Sequence, residues 1–176
     1  QLYKQSETYL ATIVGYDAQT DIAVLKIDGD EDFPCVPLGD SEALQVGELA
    51  VAIGNPLGGF EGSVTVGVIS GTEREVDAGT GYQMKLLQTD AAINNGNSGG
   101  PLLDAHGDVV GVLVATLKDG QSVNYAIKKS YLLAFLDGAT DCSDKIHEHE
   151  GEVQAEDLSA VVDRVRDSCV LVLNYR

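Results

Sequence analysis

Short apolar segments separated by turn residues occupy the first three quarters of the chain. Apolar and β-branched residues fill positions 9–14 and 22–27, and the stretch 15–20 between them predicts a turn. Further strands are predicted at 49–53, 63–70, 82–87, 109–115 and 123–127, with glycine-containing turns between them. Many short strands joined by such turns are typical of an all-β barrel or sandwich.

Two segments predict helices. Residues 128–136 predict a short helix that closes the β region. In the tail, Leu158, Val161, Val162 and Val165 follow i, i+3, i+4, i+7 spacing, which predicts an amphipathic helix over 155–167 and is followed by an apolar strand at 169–173. Residues 137–157 carry eight Asp or Glu and one Lys, which indicates a solvated linker ahead of that helix.

Length and charge limit the kind of partner. A chain of 176 residues suits one domain, or two small barrels that share an interface. The formal net charge of −17 argues against nucleic acid and anionic lipid as partners, because proteins that bind these anions carry a surplus of Lys and Arg at the binding surface. No apolar run has the length of a membrane span and no signal peptide is recognisable, so we expect no membrane insertion; the first residue, Gln, indicates a processed or cut product.

Residues 96–101 read Gly-Asn-Ser-Gly-Gly-Pro and carry the clearest chemical signal. Glycines on both sides of Ser98 allow a tight turn whose N–H groups point at one place beside the hydroxyl. Such a place can hold the oxyanion that forms when a serine attacks a carbonyl. The segment alone is equally compatible with an ordinary glycine-rich turn, so its flanks decide the interpretation.

The flanks resemble the HtrA/DegP-like serine proteases. Residues 88–98 read Gln-Thr-Asp-Ala-Ala-Ile-Asn-Asn-Gly-Asn-Ser, residues 20–27 read Thr-Asp-Ile-Ala-Val-Leu-Lys-Ile, and residues 52–58 read Ala-Ile-Gly-Asn-Pro-Leu-Gly. The resemblance runs in register from about residue 8 to about residue 136. It implies a trypsin-like double β-barrel with the second barrel complete and the first partial. It also implies a serine endopeptidase that acts on unfolded or extended polypeptide outside the cytoplasm.

The resemblance assigns roles to individual residues. Ser98 is the expected nucleophile, and Asp21 is expected to orient the general-base histidine and stabilise its imidazolium. The N–H groups of Gly96 and Ser98 are the expected oxyanion donors. Ala92 and Ile93, six and five residues before the nucleophile, are expected to line the specificity pocket. Neither is acidic, so we expect a preference for small or medium apolar side chains over Lys and Arg.

The histidine of this family's catalytic site has no counterpart ahead of Asp21. The family carries it in a Thr-Asn-x-His-Val type motif before the aspartate, whereas none of the twenty residues preceding Asp21 is His. His106 lies in a polar turn, and His147 and His149 lie in the acidic segment. As written, this chain therefore lacks its base. The alternative function is a non-catalytic relative that binds extended peptides or partner chains.

Four segments are predicted. Residues 1–33 form a partial first barrel, 34–136 the second barrel with its closing helix, 137–154 an acidic linker, and 155–176 a helix and strand. This last segment resembles the beginning of an HtrA-type protease domain. It could start a second tandem domain, belong to a rearranged or swapped domain, come from renumbered pieces of a longer chain, or decorate the surface.

Metal, cofactor and disulfide signals are weak. Asp28, Asp30 and Asp32 alternate but lack the glycine and closing glutamate of an EF-hand loop. The two histidines at 147 and 149 do not have the spacing of a zinc helix, so we predict neither metal nor cofactor. Cys35, Cys142 and Cys169 show no paired motif, and their odd number leaves the redox compartment open.

Overall fold

The computed structural model describes residues 8–27, 33–54, 62–77, 80–94, 96–114, 123–139 and 157–169. Within these ranges the chain forms mostly β structure with two short helices. The elements are β1 (Ala11–Asp17), β2 (Ile22–Ile27), β3 (Leu49–Gly54), β4 (Ser63–Asp77), β5 (Gln83–Thr89), β6 (Pro101–Leu103), β7 (Val109–Val114), β8 (Asn124–Lys128), α1 (Lys129–Ala139) and α2 (Leu158–Arg166).

Six of the strands close into an antiparallel barrel with the order β3-β4-β5-β8-β7-β6. Alternate residues of these strands point inward, as the period of two in a strand requires. They form one buried cluster, whose members include Ala50, Ile69, Leu87, Leu102 and Leu113. The predicted all-β architecture with a complete second barrel is confirmed.

The first two strands form a separate hairpin beside this barrel. They pair from Ala11 with Ile27 to Asp17 with Ile22, with a bulge between Ile13 and Gly15. β1 therefore begins two residues later and ends three residues later than predicted, and the turn covers only residues 18–21. Ile22 is buried against residues of β5 and β8, whereas Ile13 keeps an exposed face.

The helices cover two different sides of the barrel. From α1, Tyr131, Leu132 and Phe135 pack on the cluster formed by β5 and β8, where Ile22 also packs. Val162 and Val165 of α2 pack on the other side, against Val51 and Ile53 of β3 and residues of β6 and β7. The tail helix thus contacts the second barrel, and residues 170–173 of the predicted tail strand lie outside the described residues.

Element boundaries differ from the sequence prediction where local composition misleads. β4 continues seven residues past Ser70 because its polar second half still pairs with β5, ending at Asp77 opposite Gln83. β6, with three residues, was not predicted. α2 begins at Leu158 because the carboxylate of Asp157 accepts a hydrogen bond from Ala160 N at 2.9 Å and caps the helix.

Candidate active site

Ser98 lies exposed on a loop whose backbone is fixed on both sides. Gly99 N donates to Leu113 O at 2.8 Å, and Leu113 N donates to Gly100 O at 2.9 Å, which joins the loop to β7. Gly96 and Gly99 have φ of 112° and 85°, a conformation in which a side chain would be strained. The glycines around the serine are therefore required by the backbone path.

The end of β3 packs directly under this loop. Asn97 is 1% exposed, and a Cβ built on Gly54 would lie 2.6 Å from its Cα. A Cβ on Gly100 would collide with the carbonyl oxygen of Ile53. These two close approaches hold the residues on either side of Ser98 against the barrel, so the position of the hydroxyl follows from the position of β3.

Two N–H groups of the loop have no acceptor among the described residues. Asn97 N donates to Asn94 O at 3.0 Å and Gly100 N donates to Asn97 O at 2.9 Å, whereas the N–H groups of Gly96 and Ser98 make no such bond. Unpaired N–H groups beside a serine hydroxyl are what an oxyanion needs. Gly96 and Ser98 are the two donors that the sequence predicts.

The segment before the loop separates the two predicted pocket residues. Ala92 has an exposed side chain, and its carbonyl oxygen lies 3.5 Å from Asn97 Nδ2. Ile93 is only 8% exposed and packs into the barrel core together with Ala91. Of the pair, Ala92 presents its methyl group outward beside the serine loop. Their role in substrate selection stays a prediction.

Asp21 sits at the tip of the β1–β2 hairpin in a tightly defined turn. It has φ of 57°, which aspartate tolerates better than most residues, and its side chain is exposed. Asp17 fixes the turn by accepting bonds from Gln19 N at 3.1 Å and from the Thr20 hydroxyl at 2.8 Å. The hydrogen bond from Gln19 N lowers the pKa of Asp17 most, and the bond from the Thr20 hydroxyl lowers it further. Buried Thr20 and Ile22 hold Asp21 on both sides.

The predicted site residues occupy two different sheets. Among the described residues no hydrogen bond joins the Asp21 side chain to the Ser98 loop, and the hairpin reaches the barrel through Ile22. His106 is exposed in the turn after β6, at the other end of that strand from Ser98, and its carbonyl oxygen accepts a bond from Arg164 Nη2 at 2.7 Å. His147 and His149 lie outside the described residues.

Comparison with known proteins identifies the family of this arrangement. The family model described as "Trypsin-like peptidase domain" matches residues 1–112, which is more than half of the chain. The chain belongs to this family of trypsin-like peptidases. Its own resemblance to the HtrA/DegP-like proteases agrees with the relatives that follow.

Two curated relatives illustrate the similarity. The "Probable periplasmic serine endoprotease DegP-like" of Pseudomonas putida (strain W619) is 41% identical over 158 residues, which cover 88% of this chain and 30% of the relative. The "Serine protease Do-like HtrB" of Bacillus subtilis (strain 168) is 47% identical over 127 residues, covering 69% of this chain and 28% of the relative. This chain spans between 21% and 32% of the length of such relatives.

Solved structures show the same similarity in three dimensions. "HtrA-type protease AlgW with decapeptide" superposes with a TM-score of 0.68 at 40% sequence identity, covering 74% of this chain and 40% of the other. "Crystal structure of Deg5" gives a TM-score of 0.62 at 42% identity, covering 73% and 61%. The trypsin-like fold of this chain is therefore established by sequence and by structure.

A buried lysine links the segment between the barrels to two strands. Lys128 of β8 has a side chain 4% exposed, and its Nζ lies 3.1 Å from Glu42 Oε2 and also pairs with Glu73. Burial alone would lower the pKa of Lys128, but its hydrogen bonds with Glu73 and Glu42 outweigh burial and raise it. The same bond from Lys128, followed by one from Lys85, lowers the pKa of Glu73.

The part of the chain that the structure describes shows neither a metal site nor a membrane span. No group of three His, Cys, Asp or Glu side chains within it could hold an ion, and no helix within it is long and apolar enough to cross a bilayer. Asp28, Asp30 and Asp32 lie outside it. Cys35 is exposed and Cys169 half-buried, and both are free thiols; burial raises the pKa of Cys169.

Two kinds of residue that support the site were not predicted, and only one kind has a local signal in the sequence. The Asp17-x-x-Thr20 spacing is visible as a turn capped by a side chain. Thr65 and Asn124, by contrast, bond to the segment before the serine loop from 27 and 33 residues away. No local pattern indicates such contacts, because they depend on which strands become neighbours.

Proposed function

We propose that this chain carries the nucleophile of an HtrA-type serine endopeptidase that cleaves unfolded or extended polypeptide. The observation that carries the proposal is the Ser98 loop. Its hydroxyl is exposed, its backbone is tied to β7, and the N–H groups of Gly96 and Ser98 have no acceptor among the described residues. The membership of the trypsin-like peptidase family supports the same chemistry.

Each of these residues has a defined step in the proposed reaction. Ser98 Oγ attacks the peptide carbonyl while a histidine takes its proton, and the N–H groups of Gly96 and Ser98 stabilise the resulting oxyanion. The histidine returns the proton to the leaving amine, and water then hydrolyses the acyl-enzyme. Asp21 holds the histidine and its positive charge. Because none of the twenty residues before Asp21 is histidine, the imidazole has to reach Ser98 from another segment.

The substrate and the compartment are inferred from the relatives. The AlgW structures were solved with a decapeptide and with a tripeptide, which supports an extended peptide as the ligand of this chain also. Relatives named as periplasmic endoproteases support an extracytoplasmic location. Ala92, with its outward methyl group and no charge, supports an apolar side chain before the scissile bond.

The tail is proposed to act as the starting segment of a protease domain, tandem or swapped. Its helix packs against β3 and β6, and Cys169 packs on the same cluster as Val36, which lies in the segment between the barrels. Within the described residues the β1–β2 hairpin is a two-stranded sheet, and the apolar residues 170–173 are proposed to add a strand to it.

Supplying the missing imidazole tests the proposal. Quenched fluorescent peptides with Val before the scissile bond are compared with and without a histidine next to that Val, and free imidazole is added in a second series. We expect negligible cleavage without imidazole, since a site that lacks a triad member keeps only about 10³–10⁴-fold acceleration over water. Cleavage should appear with the histidine peptide.

Two variants assign this activity. Ser98→Ala should abolish cleavage, whereas Ser70→Ala, on β4 outside the loop, should leave it unchanged. Peptide binding that is indifferent to imidazole and never followed by cleavage would favour the non-catalytic, peptide-binding alternative.

A further inference from the structure

The chain that leads to the serine loop leaves the barrel ladder at the end of β5. Thr89 is its last paired residue, opposite Ile69 of β4 and Asn124 of β8. Beyond Thr89 one long backbone bond, from Asp90 N to Val68 O at 3.4 Å, still reaches β4, yet the chain must continue to Ala92 and the loop in a defined path. Buried carbonyl groups in such a stretch need other donors.

Side chains from the two neighbouring strands supply these donors. Asn124 Nδ2 donates to Ala91 O at 2.7 Å, and Asn124 is 4% exposed. Thr65 Oγ1 donates to Ala92 O at 2.7 Å from the other side. One strand on each side thus continues the hydrogen bonding past the point where the backbone ladder stops.

The residues just before Ala92 are fixed in the same way. Asp90 Oδ1 accepts from Val68 N at 2.7 Å, and the Thr89 hydroxyl donates to Val68 O at 2.8 Å. A Cβ on Gly67 would lie 2.7 Å from Ala91 Cα, so β4 and this segment are in close contact. The path from Thr89 to Ala92 is therefore held over every residue.

Ala92 O is also the point where this segment meets the serine loop. It accepts the strong bond from Thr65 and lies 3.5 Å from Nδ2 of Asn97, the residue before Ser98. A shift of the Ala92 carbonyl would therefore move the outward methyl group and the support of Asn97 together. The two side-chain donors act on selectivity and on loop position at once.

We propose that Thr65 and Asn124 are positioning residues that hold the carbonyl groups of Ala91 and Ala92, so that this backbone forms a wall of the pocket for the residue before the scissile bond. This inference rests on the proposed function, because only a peptidase or peptide-binding site uses such a pocket. Neither residue touches the reacting atoms. Their effect is transmitted through the Ala91 and Ala92 carbonyl groups.

Hydrogen exchange of the whole chain, read by mass spectrometry, tests the positioning directly. Thr65→Val keeps the shape but removes the donor, Thr65→Ser keeps the donor, and Asn124→Leu removes the amide. We expect faster exchange over residues 89–97 in Thr65→Val and Asn124→Leu, and wild-type exchange in Thr65→Ser. Thr12→Val, at an exposed position of β1, serves as the matched control. Exchange over β7 should stay unchanged in all variants that fold.

Affinity for labelled peptides that end in Val or in Phe tests the pocket itself. A hydrogen bond of ordinary strength corresponds to roughly a fivefold change in an equilibrium constant. We therefore expect the ratio of the affinity for the Val peptide to that for the Phe peptide to fall about fivefold in Thr65→Val and to keep its wild-type value in Thr65→Ser. Unchanged exchange over 89–97 would overturn the positioning role. Faster exchange with unchanged selectivity would overturn the pocket role.

The same data separate this inference from the proposed function. If the wild-type chain binds no peptide, the proposed function and the pocket role both fail. The exchange measurement then still decides whether Thr65 and Asn124 fix the segment.

Discussion

The packing of α2 on the barrel predicts how much a truncated side chain in α2 lowers the free energy of unfolding. Val165 of α2 is completely buried and packs, together with Val162, in the cluster that contains Val51 and Ile53 of β3. β3 also supplies the contacts of Gly54 and Ile53 that support the serine loop. Truncating Val165 to alanine therefore probes whether the tail belongs to the folded unit that carries the site.

The magnitude follows from the two carbon groups removed. Each buried CH₂ equivalent contributes about 0.8 kcal/mol, so Val165→Ala loses about 1.6 kcal/mol of transfer free energy. The remaining cavity adds to this, because the β3 surface and the helix collapse only in part, and the total is about 2 kcal/mol. For a chain of 150–250 residues this corresponds to a Tm lowered by roughly 4–8 °C.

Thermal and urea unfolding followed by circular dichroism measures this difference. Val46→Ala is the matched control, since Val46 is 67% exposed and should change the free energy of unfolding by less than about 0.5 kcal/mol. If Val165→Ala and Val46→Ala unfold alike, α2 does not pack on the barrel. Deleting residues 155–176 should lower the Tm further and promote aggregation, because the β3 and β6 surface becomes exposed.

Three further predictions concern the loop, the lysine and the pocket. Gly54→Ala should reduce both stability and Ser98-dependent cleavage, because its Cβ would lie 2.6 Å from Asn97 Cα; unchanged melting and cleavage would contradict the packing. The raised pKa of Lys128 means that its stabilising contribution is present below the ordinary lysine value, about 10.4, and is lost as pH rises through the folded value. Urea titrations should therefore show a stability loss above about pH 10.4 that Lys128→Met makes smaller; an equal loss in the variant would refute this. In a peptide library, cleavage should follow Val, Ala or Leu and should be suppressed after Lys and Arg by orders of magnitude. The reason is that an unpaired charge beside Ala92 costs several kcal/mol. A dominant basic residue before the scissile bond would show the pocket assignment to be wrong.

The barrel and the serine loop could be predicted from the sequence because both are encoded locally. Strand periodicity marks five of the six barrel strands, and the glycines around Ser98 mark the loop. β6 was missed because three residues, Pro101–Leu103, are too few to show a period. The second half of β4 was missed because its residues are charged, although pairing with β5 keeps it extended.

The supports of the site could not be predicted because they join distant parts of the chain. The position of Ile93 before the serine predicts a pocket residue, which stays a prediction, and its packing in the core depends on the closure of the barrel. Thr65 and Asn124 have ordinary polar side chains at strand positions, and only the neighbouring order of β4, β5 and β8 brings them to the same segment. The surface on which α2 packs depends in the same way on the pairing of β3 with β6.

A peptidyl boronic acid ending in the boron analogue of valine tests the central claim most directly. When the serine oxygen bonds to boron, its proton is released to solvent, and the tetrahedral boronate that forms carries a formal negative charge. One of its hydroxyl oxygens then lies where the oxyanion would lie. Boron NMR of the full chain should show a tetrahedral one-to-one adduct that Ser98→Ala abolishes and Ser70→Ala preserves. Crystals of the adduct should show the boronate oxygen within about 2.7–3.1 Å of the N–H groups of Gly96 and Ser98. An adduct that survives Ser98→Ala, or an oxygen turned away from both N–H groups, would contradict the account.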